Sequence, residues 1–503
     1  MGVTQTKSRC DVNHCFTTDN RTDTTDENST MRHACLKGHI DTVRLLLADS
    51  RVDPAHYCNT AIRFACANGH VDIVRSLLAD HRVDPADYNN ISIRFACANG
   101  HVDVVRLLLA DKRVDPADDH NNAIRKACRN GHIDIVRLLL ADKRVDPADK
   151  NNEAIRFACA KGHVDIVRLL LADKRVNPAD DYNNAIREAC RNGHIDIVRL
   201  LLADKRVDPA DENNQAVRHA CYHGHANVVR LLLADPRVVP ADDSNYAIRW
   251  ACANGHLDVI RLLLADSRVN SADNNNHAIS LACENGHFDV VRLLLTDNRV
   301  DPADYNNHAI RCACANGYVD IVRLLLADSR VNPADYNNDA IRGACECGQL
   351  NVVHLLLADG RVNPADNENE AIRVACEHGH VDVVCLLLMD SRIHVHDAIT
   401  TCPQIVEKYA EHESVGALLA LAGIEPFCTK WGQLDAKLYN LNMIRHWQRA
   451  PLINLYRQDD EFRNGPYGVL LRPRLEIANL YNSVVLTSRL PLEMIELVFE
   501  YIK

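Results

Sequence analysis

The chain has no apolar run long enough to cross a bilayer, and its N-terminus lacks the apolar core of a secretory signal. It also has no extended basic patch. The 503 residues carry a net charge of −11, which argues against nucleic acid as a primary ligand. Twenty cysteines in a chain without a secretory signal favour a reducing compartment, where thiols stay free. We therefore expect a cytoplasmic protein.

The motifs of common enzymes are absent as well. The sequence has no phosphate-binding Walker loop, no Gly-rich dinucleotide turn, no Gly-x-Ser-x-Gly and no carboxylate pair outside a repeating context. We therefore predict no catalytic residue, no metal ligand and no cofactor, and we expect the protein not to be an enzyme.

What the sequence does contain is one short pattern in twelve tandem copies. A glycine recurs at a constant step of 31 residues, and each glycine is preceded three residues earlier by a Cys that follows an Ala. None of the twelve copies contains an insertion relative to the others. Each copy is therefore predicted to be one structural unit stacked on the next. The glycines are Gly38, Gly69, Gly100, Gly131, Gly162, Gly193, Gly224, Gly255, Gly286, Gly317, Gly348 and Gly379.

One unit is predicted to be two short helices and a long turn. In the copy that begins at Ala154, apolar residues lie on one face of a first helix, and Gly162 ends that helix in a left-handed conformation. A second helix carries another apolar stripe, comprising Ile166, Val167, Leu170 and Leu171. The segment that follows contains Pro and an Asn-Asn pair, which we interpret as a monotonous turn surface.

This pattern resembles the ankyrin repeat over roughly residues 30–424. The resemblance implies an all-α fold, an ankyrin-like helical solenoid with a small helical C-terminal region. The unit is two residues shorter than the usual 33, so we expect the β-hairpin fingers of the family to be shorter or absent. The predicted domains are a disordered polar tail at 1–29, twelve repeats at 30–392, a degenerate capping repeat at 393–424 and a helical region at 425–503.

Three kinds of polar residue recur at the same position of successive repeats, and we call each such set a column. Each column has a structural explanation. The cysteines are expected to fill a tight helix seam as buried free thiols, because successive layers lie too far apart for a disulfide. A His follows the glycine in ten copies, and the resemblance implies that it bonds loop backbone between layers. The arginines of the Ala-Ile-Arg segment and of the second helix are expected to form ion pairs within and between layers, although they could also hold an acidic ligand.

A partner is expected to contact the positions that vary while the frame stays constant, on the concave face of the solenoid. In ankyrin-like proteins these positions are the end of the first helix and the turn tips. Trp250, just after an Ala-Ile-Arg segment, is either an anchor for a partner or an interlayer packing residue. The candidate residues for partner binding are Arg129, Asn130, Arg191, Asn192, Tyr222, His223, Trp250 and Glu284.

The C-terminal segment at 488–503 ends in an amphipathic helix, Leu490 to Ile502. It resembles the first helix of an F-box, the module that binds the Skp adaptor of cullin–RING ubiquitin ligases. Ankyrin arrays ending in a truncated F-box occur in poxvirus host-range proteins, and this layout is similar to theirs. The contacts implied by the resemblance are Leu490, Pro491, Ile495 and Phe499. The alternative is a helix that docks on its own tail.

The first residues, Met-Gly-Val-Thr-Gln-Thr-Lys, fit the N-myristoylation pattern, with Gly2 as the acylated residue. The alternative is a chance match in a polar tail.

The sequence thus predicts a monomeric scaffold that binds a partner protein and is a candidate substrate receptor of a cullin–RING ligase. The competing interpretation is a membrane-tethered or cytoskeletal ankyrin scaffold without a ligase link, in which Gly2 supplies the membrane contact.

Overall fold

The computed structural model describes residues 27–403 and Ile405. Within these residues every element is a helix, and no strand is present, so the all-helical prediction is confirmed. The chain divides into two compact units, residues 1–247 and 248–503. Gly2, the F-box-like segment and the rest of 425–503 lie outside the described residues.

Each repeat contributes a pair of helices. The first helices are Glu27–Lys37, His56–Asn68, Asp87–Asn99, Asp118–Asn130, Asp149–Lys161, Asp180–Arg191, Asp211–Tyr222, Asp242–Ala253, Asp273–Glu284, Asp304–Ala315, Asp335–Glu346 and Asp366–His378. The second helices are Ile40–Ala48, Val71–Ala79, Val102–Ala110, Ile133–Ala141, Val164–Ala172, Ile195–Leu202, Ala226–Leu233, Leu257–Leu264, Phe288–Leu294, Val319–Leu326, Leu350–Leu357 and Val381–Leu388. A short helix, Val395–Thr401, follows the last pair.

Within each unit, first helices pack on first helices and second helices on second helices of the neighbouring repeats, and the first helices are in closer contact. In the copy from Ala154, the core residues Ala154, Ile155, Ala158 and Cys159 are fully buried. Ile166, Val167 and Leu170 of the second helix are buried too, whereas Leu171 is half-buried. Burying one such aliphatic side chain contributes roughly 1.5–3 kcal/mol. Because a single helical pair cannot bury these side chains alone, much of this stabilisation comes from contacts between neighbouring repeats.

The glycine that ends each first helix does what the sequence predicts. Gly162 has φ of 80° and its N–H donates to the carbonyl of Cys159. A Cβ on Gly162 would come within 2.8 Å of the His194 ring of the next repeat. Position 162 therefore requires glycine for two reasons: its backbone is left-handed, and the His194 ring packs directly against it.

The N-terminal turn of the first helix, within the bounds given above, holds a feature that the sequence analysis missed. Three consecutive non-glycine residues have left-handed backbone in eleven repeats, as at Lys150, Asn151 and Asn152, with φ of 55–56°. Left-handed backbone costs an L-residue roughly 1–2 kcal/mol, and Asn tolerates it best. Asp149 supports the start of the turn, because its Oδ1 accepts the N–H of Lys150 at 2.7 Å.

The interpretation of the Asn-Asn pairs as a turn surface is wrong for one member of each pair, which in the pair Asn151-Asn152 is the second. Asn152 is buried, with 3% of its surface exposed, and it bonds to the next repeat in two ways. Its Nδ2 donates to Oδ2 of Asp180 at 2.7 Å, and its Oδ1 accepts the N–H of Asn177 at 2.9 Å. The same buried Asn recurs as an asparagine ladder, comprising Asn59, Asn90, Asn121, Asn152, Asn183, Asn214, Asn245, Asn276, Asn307, Asn338 and Asn369.

A second set of interlayer bonds comes from the arginine of the turn after the second helix. Arg175 forms a bidentate pair with Asp173, with Nη2 to Oδ2 at 2.6 Å and Nε to Oδ1 at 3.0 Å. Its Nη1 donates to the carbonyl of Val145 in the preceding repeat at 2.7 Å. The Arg175 guanidinium also holds the pKa of the Asp173 carboxyl below its ordinary value.

Candidate functional site

The polar columns that the sequence analysis explained structurally are engaged in the fold. Nε2 of His163 donates to the carbonyl of Arg129 in the preceding repeat at 3.1 Å, as expected for a residue that joins layers. Gln349 replaces His in one repeat and keeps the bond, donating to the carbonyl of Ala315 at 3.2 Å. The histidines therefore act as layer-to-layer donors.

The arginines of the Ala-Ile-Arg segment pair mostly with the next repeat. Arg156 meets Asp181 at 2.6 Å, Arg311 meets Asp339 at 2.8 Å, and Arg125 pairs with Glu153. Where the next repeat has a tyrosine as the first residue of the left-handed triplet, the guanidinium lies over its ring, as Arg63 does over Tyr88 at 5.4 Å from the centroid. The expected ion pairing between layers is confirmed at these positions.

The cysteine column is buried, and burial keeps its thiols protonated and unreactive. Burial raises the pKa of the Cys159 thiol well above its ordinary value, and the same holds along the column. Cys312 is half-buried, and burial first, then the nearby Glu284 carboxylate, raises its pKa to about 11. Among the described residues no three or more His, Cys, Asp or Glu side chains are placed to hold a metal ion.

We name the surface formed by the last turns of the first helices, with the residues just after Ala-Ile-Arg, the first-helix face. In the first unit it carries Arg129, Arg191, Tyr222 and His223, all exposed. Tyr222 keeps 38% of its surface exposed, and its ring meets that of His223 edge-on at 4.9 Å between centroids. The predicted residues of this unit therefore share one face.

Two of the candidate asparagines also support the helix that carries them. Asn192 donates its Nδ2 to the carbonyl of Glu188 at 2.8 Å, which satisfies an acceptor in the last turn. Asn130 donates to the carbonyl of Ala98 in the preceding repeat at 2.7 Å. Both side chains remain exposed, but their amide donors are occupied by backbone.

In the second unit, Trp250 is half-buried, and its carbonyl accepts both the N–H and the Nδ2 of Asn254. Glu284 is exposed at the end of the helix Asp273–Glu284. Its charge reaches the side chains of His277, His308 and Cys312, all of which lie on the same face.

Sequence reasoning missed several side chains on the first-helix face. Phe157 lies under Arg129, whose guanidinium is 5.2 Å from the ring centroid. Lys161 is exposed at the end of its helix, and His219 lies half-buried among cations. The sequence could have indicated two of these side chains, because Phe157 and His219 occupy the variable position after the Ala-x-Arg segment.

The environment of His219 is positive. Burial, and after it the positive charges of nearby residues, lower its pKa to about 4; these residues are Arg191, His223, Arg187 and Arg218. Between pH 4 and pH 6.5 the folded protein therefore binds fewer protons at this ring than the unfolded chain does. The contribution of His219 to stability is accordingly unfavourable below pH 6.5 and grows as the pH falls toward 4.

These features define a tandem-repeat protein of stacked helical pairs, with constant buried columns and one varied face. The family model described as "Ankyrin repeats (3 copies)" matches residues 7–92, 83–151, 155–242, 188–273, 219–306, 248–339 and 311–398. The chain belongs to the ankyrin-repeat family, and its repeats indicate a protein–protein interaction scaffold. A comparison with curated proteins found no match. No helix in the described part of the chain is both long and apolar enough to span a membrane.

Proposed function

We propose that this chain is a non-enzymatic scaffold that holds a partner protein on the first-helix face of its repeats. One observation carries the proposal: exposed positions vary where buried positions do not. The residue after the core cysteine is exposed as Arg129, Arg191, Tyr222, Glu284, Glu346 and Glu377 and is a leucine or an alanine in the other six repeats, whereas the cysteines behind it remain constant and buried. A frame held constant beneath a varied surface is what a recognition face requires.

Site-specific photocrosslinking tests the proposal. Benzoylphenylalanine in place of Tyr222 reports on the first-helix face, and the same probe in place of Arg168, exposed on a second helix, is the matched control. We expect protein adducts from position 222 and few from position 168 in cells that express the full chain. Equal adducts at both positions, or none at position 222, would contradict a partner on this face.

We further propose that the C-terminal segment delivers the bound partner to a cullin–RING ubiquitin ligase through a Skp adaptor. The support is the sequence of 488–503, with Leu490, Pro491, Ile495 and Phe499 as the contacts that its F-box likeness implies. Pull-down with the intact chain should recover adaptor and cullin, and L490A/F499A should lose both. Recovery of neither by the intact chain would exclude the ligase link and leave the scaffold.

The alternative role, a membrane-tethered scaffold, depends on Gly2 and is favoured only by the N-terminal sequence. Mass spectrometry of the N-terminal peptide decides it, since a myristoyl group adds a fixed mass to that peptide. An unmodified N-terminus would remove this alternative. Without it we infer a cytoplasmic monomer, whose mass in solution light scattering would measure directly.

A further inference from the structure

The ends of the first helices carry opposite charges in the two units. In residues 118–223 the exposed positions include Arg129, Lys161 and Arg191. In residues 248–403 the position that corresponds to Arg129 and Arg191 is an exposed glutamate in three of the five repeats, Glu284, Glu346 and Glu377, and an alanine in the other two. The repeat frame is the same in both units, so the difference lies in the surface alone.

The positive charges of the first unit are weakly compensated. Arg129 lies over the Phe157 ring. Arg191 is exposed and has one carboxylate nearby, that of the half-buried Glu188, at 3.9 Å. Arg187 donates its Nη1 to the neutral amide oxygen of Gln215, where other repeats place a carboxylate.

The titration of His219 agrees with this positive potential. Four neighbouring side chains on or beside the face disfavour a further positive charge there, in addition to burial. The field that disfavours a proton on His219 would favour a bound carboxylate. Two apolar surfaces, the rings of Tyr222 and Phe157, lie among these charges.

We propose that this surface binds an acidic segment of the partner protein. It consists of the exposed Arg129, Lys161, Arg191 and His223, together with Lys126, which is half-buried one helical turn before Arg129, and we name it the basic face. The inference rests on the proposed function and specifies the chemistry of the partner. Carboxylates suit it because a guanidinium binds them with two parallel hydrogen bonds, and the net charge of −11 disfavours nucleic acid.

The spacing of the arginines predicts the spacing of the acidic residues. Arg129 and Arg191 lie two repeats apart, which is roughly 20 Å at about 8–10 Å for each helix layer. An extended chain covers about 3.3 Å with each residue. The segment should therefore present carboxylates about six residues apart, with an apolar residue between them near Phe157, which lies in the repeat between the two arginines.

The test uses the full chain and a fluorescein-labelled peptide of fourteen residues, with two Asp-Glu pairs six residues apart and a leucine between them. Fluorescence anisotropy at physiological salt should show binding at least tenfold tighter than that of a peptide with Asn and Gln in place of Asp and Glu. Arg129→Glu/Arg191→Glu should weaken binding of the acidic peptide at least tenfold. The matched control is Arg137→Glu/Arg168→Glu, which makes the same charge change on exposed second-helix residues of the same unit and should shift affinity less than twofold.

Three results would overturn the inference. These are equal affinity for the acidic and the neutral peptide, equal loss in the two double variants, or tighter binding of a single-stranded oligonucleotide of the same charge. Its failure is distinguishable from failure of the proposed function. If position 222 still crosslinks to proteins while the acidic peptide does not bind, the scaffold stands and only the acidic segment is wrong.

Discussion

The asparagine ladder makes a sharp prediction about stability, because two neighbouring residues share a residue type and a backbone conformation and differ in burial and in their hydrogen bonds. Asn151 and Asn152 both have left-handed backbone, with φ of 55° and 56°. Asn151 is exposed, whereas Asn152 is buried and bonded to Asp180 and to the backbone of Asn177. Comparing N151A with N152A therefore separates the backbone cost from the interlayer bonds.

The magnitudes follow from the structure. Either substitution places alanine in left-handed backbone, at a cost of about 1 kcal/mol. N152A also loses a bond to a carboxylate, worth about 2 kcal/mol, and a bond to a buried N–H, worth about 1 kcal/mol. We expect N151A to lower the free energy of unfolding by about 1 kcal/mol and N152A by about 4 kcal/mol.

Urea unfolding followed by circular dichroism gives the overall change. Hydrogen exchange of peptides from 149–191 locates it, since repeat arrays can unfold locally. N152D is a useful third variant, because it keeps the shape but places a carboxylate against that of Asp180, and it should be more destabilised at pH 7 than at pH 4. If N152A and N151A were equally stable, the ladder would contribute nothing and the reasoning would fail.

Three further predictions follow from single columns. R175K should lower stability by about 1–2 kcal/mol, since lysine cannot pair with the Asp173 carboxylate and reach the Val145 carbonyl together, and urea unfolding measures this loss. Lowering the pH from 7 to 5 should destabilise the wild type more than H219N, by on the order of 1 kcal/mol, because the folded pKa of His219 is about 4; parallel melts of both proteins would refute it. C58A/C347A should remove two fast-reacting thiols from a native thiol titration and leave the slow phase unchanged, because Cys58 and Cys347 are the exposed cysteines among the described residues; loss of slow thiols instead would contradict the burial of the column.

The parts of the fold that sequence reasoning predicted are those that depend on local spacing. Helical pairs follow from apolar residues at helical intervals, and the left-handed Gly162 follows from a glycine that stops such a pattern. The role of His163 came from the family resemblance, and the structure confirms it. Each of these inferences needed only the residues of one repeat or its likeness to a known motif.

What the sequence could not show depends on atoms of another layer. Asn151 and Asn152 are the same residue type in the same turn, and only the fold distinguishes the exposed one from the buried one. The partner of Arg175 in the preceding repeat is a backbone carbonyl, which every residue possesses and no sequence pattern marks. Phe157, whose ring lies under Arg129, belongs to the first helix of the next repeat and is distant from it along the chain.

The candidate site was predicted by register, and only its surroundings were missing. The variable position at the end of the first helix placed Arg129, Arg191 and Tyr222 on one face, because the constant repeat length returns each copy to the same register. The charge balance of that face depends on which arginines are paired. Arg187 binds Gln215, 28 residues further on, whereas Arg156 binds Asp181, 25 residues further on, and only the second pair cancels a charge. The sequence does not mark which of these two positions an arginine will contact.

The shortened repeat and the asparagine ladder have one explanation. The usual ankyrin unit, about 33 residues long, joins its layers at a hairpin, and the described residues of this chain contain no strand. Here the side chain of Asn152 makes the interlayer bonds in the turn. The left-handed backbone of residues 150–152 orients that side chain toward the next repeat. Because each such bond joins residues 25 or 28 positions apart, an inserted residue within that interval would break both bonds at once. The constant repeat length across twelve copies is therefore a requirement of the ladder, whereas Arg129 and its counterparts lie outside it and are free to vary.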